Sequence, residues 1–307
     1  MINRNKQQSF TLIELLVVIV IIGILAGVIM ISTSSSIDKA NIAKSKTFSE
    51  SISNNLIVDI KSEYKLDILN GTITPDSMGS SNATVGTATF KDASSKECYS
   101  NGCFYFDGDD AISIPFYYSS NQIKDGVTWE LWTKTSINNS NGGLHYQILT
   151  QSSYSAGTYE RAGAIVLAAN KACFCLYDGT AYRIPCTADT INDSRWHHIV
   201  FTSYPDPSVI GNVIVTIYAD GKKGQSISAL NGGDTGFMNL KIGMSNGIDA
   251  NHLNYIGYVD QVRFYNKTFL SSQIKQNYIA GLNSMLSNGN ISNEECNERI
   301  NELAYDK

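Results

Sequence analysis

The 307-residue sequence predicts a mostly β protein with a long N-terminal helix and short C-terminal helices. Three observations predict this fold class. An apolar run without a charged residue occupies residues 15–31, and apolar residues at helical spacing continue beyond it. Short strand-like runs separated by Gly, Asn and Asp then fill most of the remaining chain, as in a β-sandwich.

The apolar run near the N-terminus is long enough to cross a bilayer, which requires about 17–25 predominantly apolar residues in a helix. Arg4 and Lys6 precede the run, as they would in a secretory signal peptide. The run is long for a signal, however, and no Ala-x-Ala cleavage pattern follows Met30. Glu14 lies at the start of the run, and a carboxylate in hydrocarbon is costly, so we expect it to have a partner and a role.

A helical pattern continues beyond the apolar run. No Pro or Gly interrupts residues 32–70, although the Ser/Thr run at residues 32–36 weakens the helix. A helix over residues 10–60 would be about 75 Å long at 1.5 Å per residue. We therefore expect a spanning and stalk helix at residues 10–61. Its polar part carries apolar residues at Ile37, Ala40, Phe48, Ile52, Leu56 and Ile60.

The strand-like runs begin near residue 100 and continue to residue 265. They lie at residues 103–106, 111–115, 127–135, 147–150, 163–169, 173–177, 181–184, 196–204, 213–219, 240–242 and 255–265. Residues 270–280 and 293–305 are predicted to form short helices. A capping box at Ser292 and Glu295 supports the second of these helices.

Composition limits the partners of the chain. The formal net charge is −5 and only 17% of residues are charged, so we expect no nucleic-acid partner. The 24 glycines and 17 tyrosines are typical of a β-rich extracytoplasmic protein. In that setting six cysteines favour disulfides over metal thiolates or a catalytic thiol.

The cysteine spacing predicts one disulfide and leaves the others open. Cys98 and Cys103 flank YSNG, a sequence that can form a tight turn and bring the two sulfurs together. The remaining cysteines allow more than one pairing: Cys186 with Cys173 or Cys175, and Cys296 with whichever of these remains or with none.

Two polar motifs have a structural and a metal-binding interpretation. Adjacent side chains of a strand point to opposite faces, so His197 and His198 are not expected to chelate one ion. Asp107, Asp109 and Asp110 surround a glycine in a turn, and three carboxylates in four residues could also serve Ca²⁺.

The segment FTLIELLVVI at residues 10–19, after a short basic leader, resembles the N-terminal methylation motif of bacterial type IV pilins and pseudopilins. The resemblance implies a leader at residues 1–9, cleavage between Ser9 and Phe10 by a prepilin peptidase, and methylation of Phe10. It also implies that Glu14 pairs with the amino group of Phe10 in a neighbouring subunit, which would fix the axial register of a filament. Ser9 replaces the usual glycine, and the absence of a proline before Pro75 favours a pseudopilin or minor pilin.

A second resemblance covers most of the remaining chain. Six segments occur in the order and spacing of a laminin G-like, concanavalin A-like jelly roll: CFYFDGDDAISI, VTWELWTKTS, SRWHHIVFT, VIVTIYADGKK, LKIGMS and IGYVDQVRFYNKTFLSSQI. The resemblance implies a sandwich over residues 62–281 and a C-terminal tail at residues 282–307. Some proteins of this fold hold a structural Ca²⁺, for which Asp67 and Asp260 are the implied ligands. The alternative is that Asp260 accepts backbone hydrogen bonds within a loop.

The fold also includes glucanases, whose catalytic acids alternate along one strand. Retaining glycosidases need two carboxyl groups about 5–5.5 Å apart. VTWELWTKTS contains Glu130 alone, and no other strand candidate has the alternation. We therefore expect that the protein is not an enzyme.

Together, the two resemblances imply a single-pass protein of the cytoplasmic membrane that later joins other pilin subunits in a pilus at the cell surface. Its extracytoplasmic sandwich would bind a carbohydrate or protein ligand. The alternative is a structural pseudopilin of a type II secretion-like machine, with no ligand of its own. A rim of exposed Tyr and Asn side chains would favour ligand binding.

Overall fold

The computed structural model describes residues 12–56, 59–79, 81–139, 144–155, 158–178, 181–230, 239–244 and 252–305. The elements in chain order are α1 (Leu12–Leu56), β1 (Ile60–Tyr64), β2 (Ile73–Thr74), β3 (Ala83–Val85), β4 (Thr89–Lys91), β5 (Cys103–Asp107), β6 (Ile112–Ser113), α2 (Ser120–Asp125), β7 (Thr128–Lys134), β8 (His145–Ser155), β9 (Thr158–Ala168), β10 (Lys171–Tyr177), β11 (Tyr182–Arg183), β12 (Cys186–Thr190), β13 (His197–Pro205), β14 (Asn212–Ala219), β15 (Lys222–Leu230), β16 (Lys241–Ile242), β17 (His252–Asn254), β18 (Ile256–Tyr265), α3 (Ser271–Ser287) and α4 (Asn293–Tyr305). Two antiparallel-rich sheets thus follow one long helix, and two helices end the described chain.

Helix α1 is 45 residues long and runs without interruption through the Ser/Thr segment at residues 32–36. Its large aliphatic side chains from Leu12 to Leu25 are all between 46% and 82% exposed. Within the described residues, none of the helices is both long and apolar enough to cross a membrane. The predicted span includes residues 26–31, whose side chains lie outside the described part of the chain.

The first sheet, sheet A, has the strand order β15-β14-β13-β7-β18-β5-β4, and β1 also pairs with β18. Because residues 60–64 join this sheet, α1 ends at Leu56, before the predicted helix end at residue 60. The predicted boundary between residues 61 and 62 therefore lies within β1. In β7, Trp129 and Leu131 point into the core, whereas Glu130 and Trp132 point to the outer face of sheet A.

The second sheet, sheet B, has the order β11-β10-β9-β8-β16-β6-β3-β2, with β12 beside β10 and β17 beside β8. The core lies between the two sheets. Phe174 of sheet B stacks on Phe201 of sheet A with ring centroids 3.6 Å apart, and Trp129 contacts Phe264 at 6.0 Å. Each such buried ring contributes about 1.5–3 kcal/mol, so this layer stabilises the sandwich strongly.

Helix α3 covers the outer face of sheet A. Tyr278 stacks on Trp132 with centroids 5.9 Å apart, and a Cβ at Gly281 would meet Trp132 at 2.2 Å, so only glycine allows this close approach. Leu282 and Met285 are also buried, which explains why α3 extends to Ser287 instead of ending near residue 280. The predicted boundary between residues 281 and 282 consequently lies within α3.

Helix α4 docks against the same face through a buried arginine. The Nε of Arg299 donates to the Tyr278 hydroxyl at 3.0 Å, and its Nη2 donates to the Trp196 carbonyl at 2.5 Å. At the start of the helix, the Ser292 hydroxyl accepts a hydrogen bond from the amide of Glu295 at 3.2 Å. This contact is one of the two hydrogen bonds that form a capping box.

Candidate functional site

The outer face of sheet A carries a buried cluster of charged side chains beneath α3. Arg263 of β18 lies at its centre. Its Nε donates to Glu63 Oε1 at 2.7 Å, its Nη1 to Glu130 Oε1 at 3.0 Å, and its Nη2 to Gln261 Oε1 at 2.6 Å. One guanidinium therefore bridges two carboxylates from β1 and β7, strands that are far apart in the sequence.

Glu130 is 1% exposed and has several further partners. Asn277 of α3 donates to its Oε2 at 2.9 Å, and the Tyr265 hydroxyl donates to its Oε1 at 3.2 Å. The Nε2 of His198 lies 3.5 Å from the same carboxylate, and the His198 ring stacks on Trp132. The cluster thus fixes helix α3 to the sheet by polar contacts as well as by packing.

The surroundings of Glu130 determine its protonation state. Burial alone would raise the pKa of this carboxyl, but the hydrogen bond and charge of His198, with Arg263 and Asn277, lower the pKa from 4.5 to about 2. Glu130 is therefore ionised at neutral pH. A general acid of a glycosidase needs a raised pKa, so Glu130 is unsuited to that role.

A cavity of about 490 Å³ lies between this cluster, α3 and the C-terminal half of α1. Lys46 and Glu50 of α1 line it on one side, and Glu63, Arg263 and Asp67 line it on the other. Helix α1 thus packs on α3, and beside this contact a polar space that contains charges of both signs separates α1 from the sandwich.

Asp67 lines this cavity, and the buried Asp260 lies within electrostatic reach of Asp67. Asp260 is fully buried; its Oδ2 accepts from the amide and hydroxyl of Ser100 at 3.2 and 3.0 Å, and its Oδ1 accepts from the amide of Gln261 at 2.7 Å. Burial raises the pKa of Asp260 well above its usual range, and the charge of Asp67 raises it further. The two carboxylates therefore come within electrostatic reach, while Asp260 also makes the hydrogen bonds of a loop.

The backbone around these carboxylates adopts uncommon conformations. Leu66 has φ of 57° and Gln261 has φ of 51°, in the left-handed region that non-glycine residues rarely occupy. A Cβ at Gly102 would lie 2.8 Å from the Cα of Asp67, so glycine is required there. This close packing fixes the position of Asp67 beside the loop of Ser100.

The two adjacent histidines have different surroundings, as their alternation along β13 requires. His197 is held by two carboxylates: its Nδ1 lies 2.7 Å from Asp220 Oδ2, and its Nε2 lies 2.9 Å from Asp193 Oδ1. Burial alone would lower the pKa of His197, but these carboxylates raise it to about 9. A protonated imidazole with both nitrogens engaged is a structural group and not a metal ligand.

The acidic turn after β5 brings three carboxylates together. Side-chain oxygens of Asp107, Asp109 and Asp110 all lie within 4.8 Å of one another, and these are the residues in the described part of the chain that could hold a metal ion as a group of three. Asp110 Oδ2 also accepts from the amide of Asp107 at 2.8 Å, as in an ordinary turn. Both interpretations of this motif therefore stay open.

The structure contains two disulfides, Cys98–Cys103 and Cys173–Cys186. The first closes the YSNG turn, and the second joins β10 to β12. Cys175 and Cys296 are buried and take part in neither of these bridges.

Of the motif at the N-terminus, Glu14 lies in the first turn of α1 and is exposed, whereas Ser9 and Phe10 lie outside the described residues. Glu63, Arg263 and Asn277 were not predicted to belong to one cluster. Glu63 and Arg263 are separated by 200 residues, and no local pattern indicates their pairing. The outward position of Glu130 in an apolar strand was the one available signal.

Comparisons with known proteins find matches for both the N-terminal segment and the sandwich. The family model for the concanavalin A-like lectin/glucanases superfamily matches residues 106–275, and that for the prokaryotic N-terminal methylation motif matches residues 4–30. A search of curated proteins finds no match.

Similar solved structures share the sandwich fold. The binding domain of Paraclostridial Mosquitocidal Protein 1 is 15% identical with a TM-score of 0.54, covering 74% of this chain and 53% of that chain. The botulinum neurotoxin serotype D binding domain is 14% identical with a TM-score of 0.51, covering 72% and 51%. Trypanosoma rangeli sialidase is 14% identical with a TM-score of 0.51, covering 72% and 32%. The chain thus spans about half of the two binding domains and a third of the sialidase, and these identities show the fold alone.

Proposed function

The chain belongs to the concanavalin A-like lectin/glucanases superfamily, and from this premise we propose that it is a minor pilin that displays a ligand-binding sandwich at the cell surface. The observation that carries the proposal is the N-terminal methylation motif at residues 4–30, joined through one continuous helix to the sandwich. In this proposal a prepilin peptidase processes the chain, the cytoplasmic membrane holds α1 first, and other pilin subunits hold it later.

The exposed aliphatic surface of α1 supports assembly. Side chains such as Ile13, Val17 and Ile24 are half or more exposed along the first half of the helix, and water is an unfavourable environment for such a surface. A bilayer before assembly and neighbouring α1 helices after assembly would both cover it. The sandwich, by contrast, buries its own core between sheets A and B.

Similar folds in other proteins support ligand binding. One is described as the receptor binding domain of botulinum neurotoxin D, and another is a sialidase in complex with an inhibitor. For this chain we propose binding without turnover, because Glu130 is ionised and bound to Arg263 and so is unsuited to act as a general acid. Many copies along a filament would raise a weak single-site affinity through avidity.

A binding screen tests this function. The full chain, purified in a detergent without a sugar headgroup, is presented to glycan arrays and to host surface proteins. We expect binding to a glycan or a protein, and no release of sugar from polysaccharides. Hydrolysis that disappears in the Glu130→Gln variant would contradict the non-enzymatic assignment.

The alternative function is that of a structural pseudopilin. It is favoured by one observation: α3 and α4 pack on the outer face of sheet A and α1 packs on α3, so this face serves attachment within the subunit. If the full chain binds nothing in the screen but enters filaments, the structural function becomes the better conclusion.

We also propose that Asp67 and Asp260 hold a structural Ca²⁺. A buried carboxyl beside a second carboxylate gains from a cation, and Ca²⁺ prefers oxygen ligands. Ca²⁺ at 100 times its dissociation constant would stabilise the fold by about 2.7 kcal/mol, which raises the melting temperature by several degrees.

The calcium prediction is measured as the Ca²⁺-dependent change in melting temperature of the full chain. We expect Asp260→Asn to abolish this change and Asp107→Asn, the matched control from the acidic turn, to retain it. The opposite pattern would assign the ion to the acidic turn, and no change in the unsubstituted protein would refute both sites.

A further inference from the structure

Two tyrosines face outward from sheet A beside the region that α3 and α4 cover. Tyr105 of β5 and Tyr258 of β18 are directly opposite in register, with ring centroids 4.9 Å apart and an interplanar angle of 52°. Their neighbours Phe104 and Val259 point into the core, so both tyrosine rings lie on the outer face. Both rings are partly exposed.

Two charged side chains border this tyrosine pair. The Nζ of Lys134 lies 5.0 Å from the centre of the Tyr258 ring, and the Tyr258 hydroxyl donates to the carboxylate of Glu97. Lys134 is also opposite Tyr258 in register on β7. An ammonium thus lies over the Tyr258 ring and a carboxylate lies at its hydroxyl edge, so the two charges beside the pair cancel.

The loop that carries Glu97 is held in place from three directions. The backbone carbonyl of Glu97 accepts hydrogen bonds from Trp196 Nε1 at 3.0 Å and from Lys134 Nζ at 3.4 Å. The Cys98–Cys103 disulfide follows Glu97 immediately in the sequence. The site is therefore preorganised, which lowers the entropic cost of binding a small ligand.

We propose that Tyr105, Tyr258, Lys134 and Glu97 form a carbohydrate subsite that takes one neutral pyranose ring. The C–H face of a sugar packs on an aromatic ring, while hydroxyl groups around its edge need both donors and acceptors. Lys134 supplies donors and Glu97 supplies acceptors, and their cancelling charges favour a neutral sugar over an anionic one. The inference rests on the proposed ligand-binding function and places the binding site on the outer face of sheet A.

A purely structural pair would behave differently. Cross-strand aromatic pairs contribute about 0.2–1 kcal/mol to a sheet, so their loss would lower stability but leave sugar binding unaffected. The chain offers a matched control on sheet B. Tyr177 and Tyr182 also form a cross-strand pair, with centroids 5.1 Å apart and an angle of 54°.

Saturation-transfer NMR tests the subsite, with the full chain in a detergent without a sugar headgroup and methyl glycosides of glucose, galactose, mannose and N-acetylglucosamine at millimolar concentration. We expect at least one glycoside to bind through the protons of one ring face. Tyr105→Ala should weaken this binding about two- to tenfold, because an aromatic contact contributes about 0.5–1.5 kcal/mol. Tyr105→Phe should retain it, and Tyr182→Ala should leave it unchanged.

The outcomes separate this inference from the proposed function. Equal binding by Tyr105→Ala and the unsubstituted protein, or loss of binding in Tyr182→Ala, would overturn the subsite while ligand binding itself stands. If none of the glycosides binds, the subsite is refuted, and the screen of host surface proteins still decides whether the sandwich binds a ligand.

Discussion

Arg263→Met is expected to destabilise the sandwich by about 3 kcal/mol, the lower end of the cost of breaking a buried ion pair. Arg263 binds Glu63 at 2.7 Å and Glu130 at 3.0 Å, and their side chains are only 14% and 1% exposed. Methionine retains most of the aliphatic volume but leaves both carboxylates without their cation. Urea unfolding of the full chain in detergent measures the change.

Arg195→Met is the matched control for this prediction. Arg195 also contacts a carboxylate at 2.7 Å, that of Asp193, but the two side chains are 48% and 36% exposed. Exposed pairs contribute about 0–1 kcal/mol, so this variant should differ little from the unsubstituted protein. Equal losses for the two substitutions would show that burial does not determine the contribution of Arg263.

The same cluster predicts how stability depends on pH. The pKa of Glu130 is lowered from 4.5 to about 2 in the folded protein, so its stabilising contribution is complete above pH 4.5 and is lost as the pH falls towards 2. Glu130→Gln should flatten the stability profile in this interval. In Arg263→Met the carboxyl loses one favourable charge and its folded-state pKa rises, so the pH-dependent loss of stability should be smaller and should end at a higher pH.

Glu14→Ala is expected to reduce incorporation into filaments by about a hundredfold or more while membrane insertion is retained. The substitution removes a charge that is costly in a bilayer, so insertion does not suffer. In a filament it would leave the amino group of Phe10 buried without its partner, and breaking a buried pair costs about 3–5 kcal/mol. Immunoblots of sheared filaments and of the envelope fraction measure the two pools.

Glu50→Ala provides the control on the same helix, because Glu50 is an exposed carboxylate in the C-terminal half of α1. It should enter filaments normally. Normal incorporation of Glu14→Ala would exclude the role assigned to Glu14, and equal loss in both variants would point to a general effect on the helix.

The strands with clear alternation could be predicted from the sequence, and some of the short ones could not. β7, β10 and β14 lie close to their predicted ranges because alternating core residues extend over several positions. Strand β2 contains two residues and lies in none of the predicted runs, because so short a segment has no periodicity to detect, whereas β16 lies within the predicted run at residues 240–242. The end of α1 was misplaced because residues 60–64 are fixed by pairing with β18, a contact between distant parts of the chain.

Part of the candidate site could likewise be predicted from the sequence, and part could not. Asp67 follows β1 and Asp260 lies in β18, and these two strands pair, so the two carboxylates come close together. The resemblance to a concanavalin A-like jelly roll allowed this proximity to be predicted. The cluster of Glu63, Glu130 and Arg263 depends on two strand pairings at once and on a β-bulge between Asp260 and Arg263. A bulge reverses the expected face of the residues that follow it, and nothing in the sequence indicates its position.

Mass spectrometry of the chain isolated from the envelope and filament fractions tests the central claim most directly. A pilin-like subunit should begin at Phe10, with one methyl group on its amino terminus and residues 1–9 removed. Loss of the prepilin peptidase should leave the unprocessed chain in the membrane. A chain that retains Met1 in cells with an active peptidase, or one cleaved beyond Met30, would contradict the account.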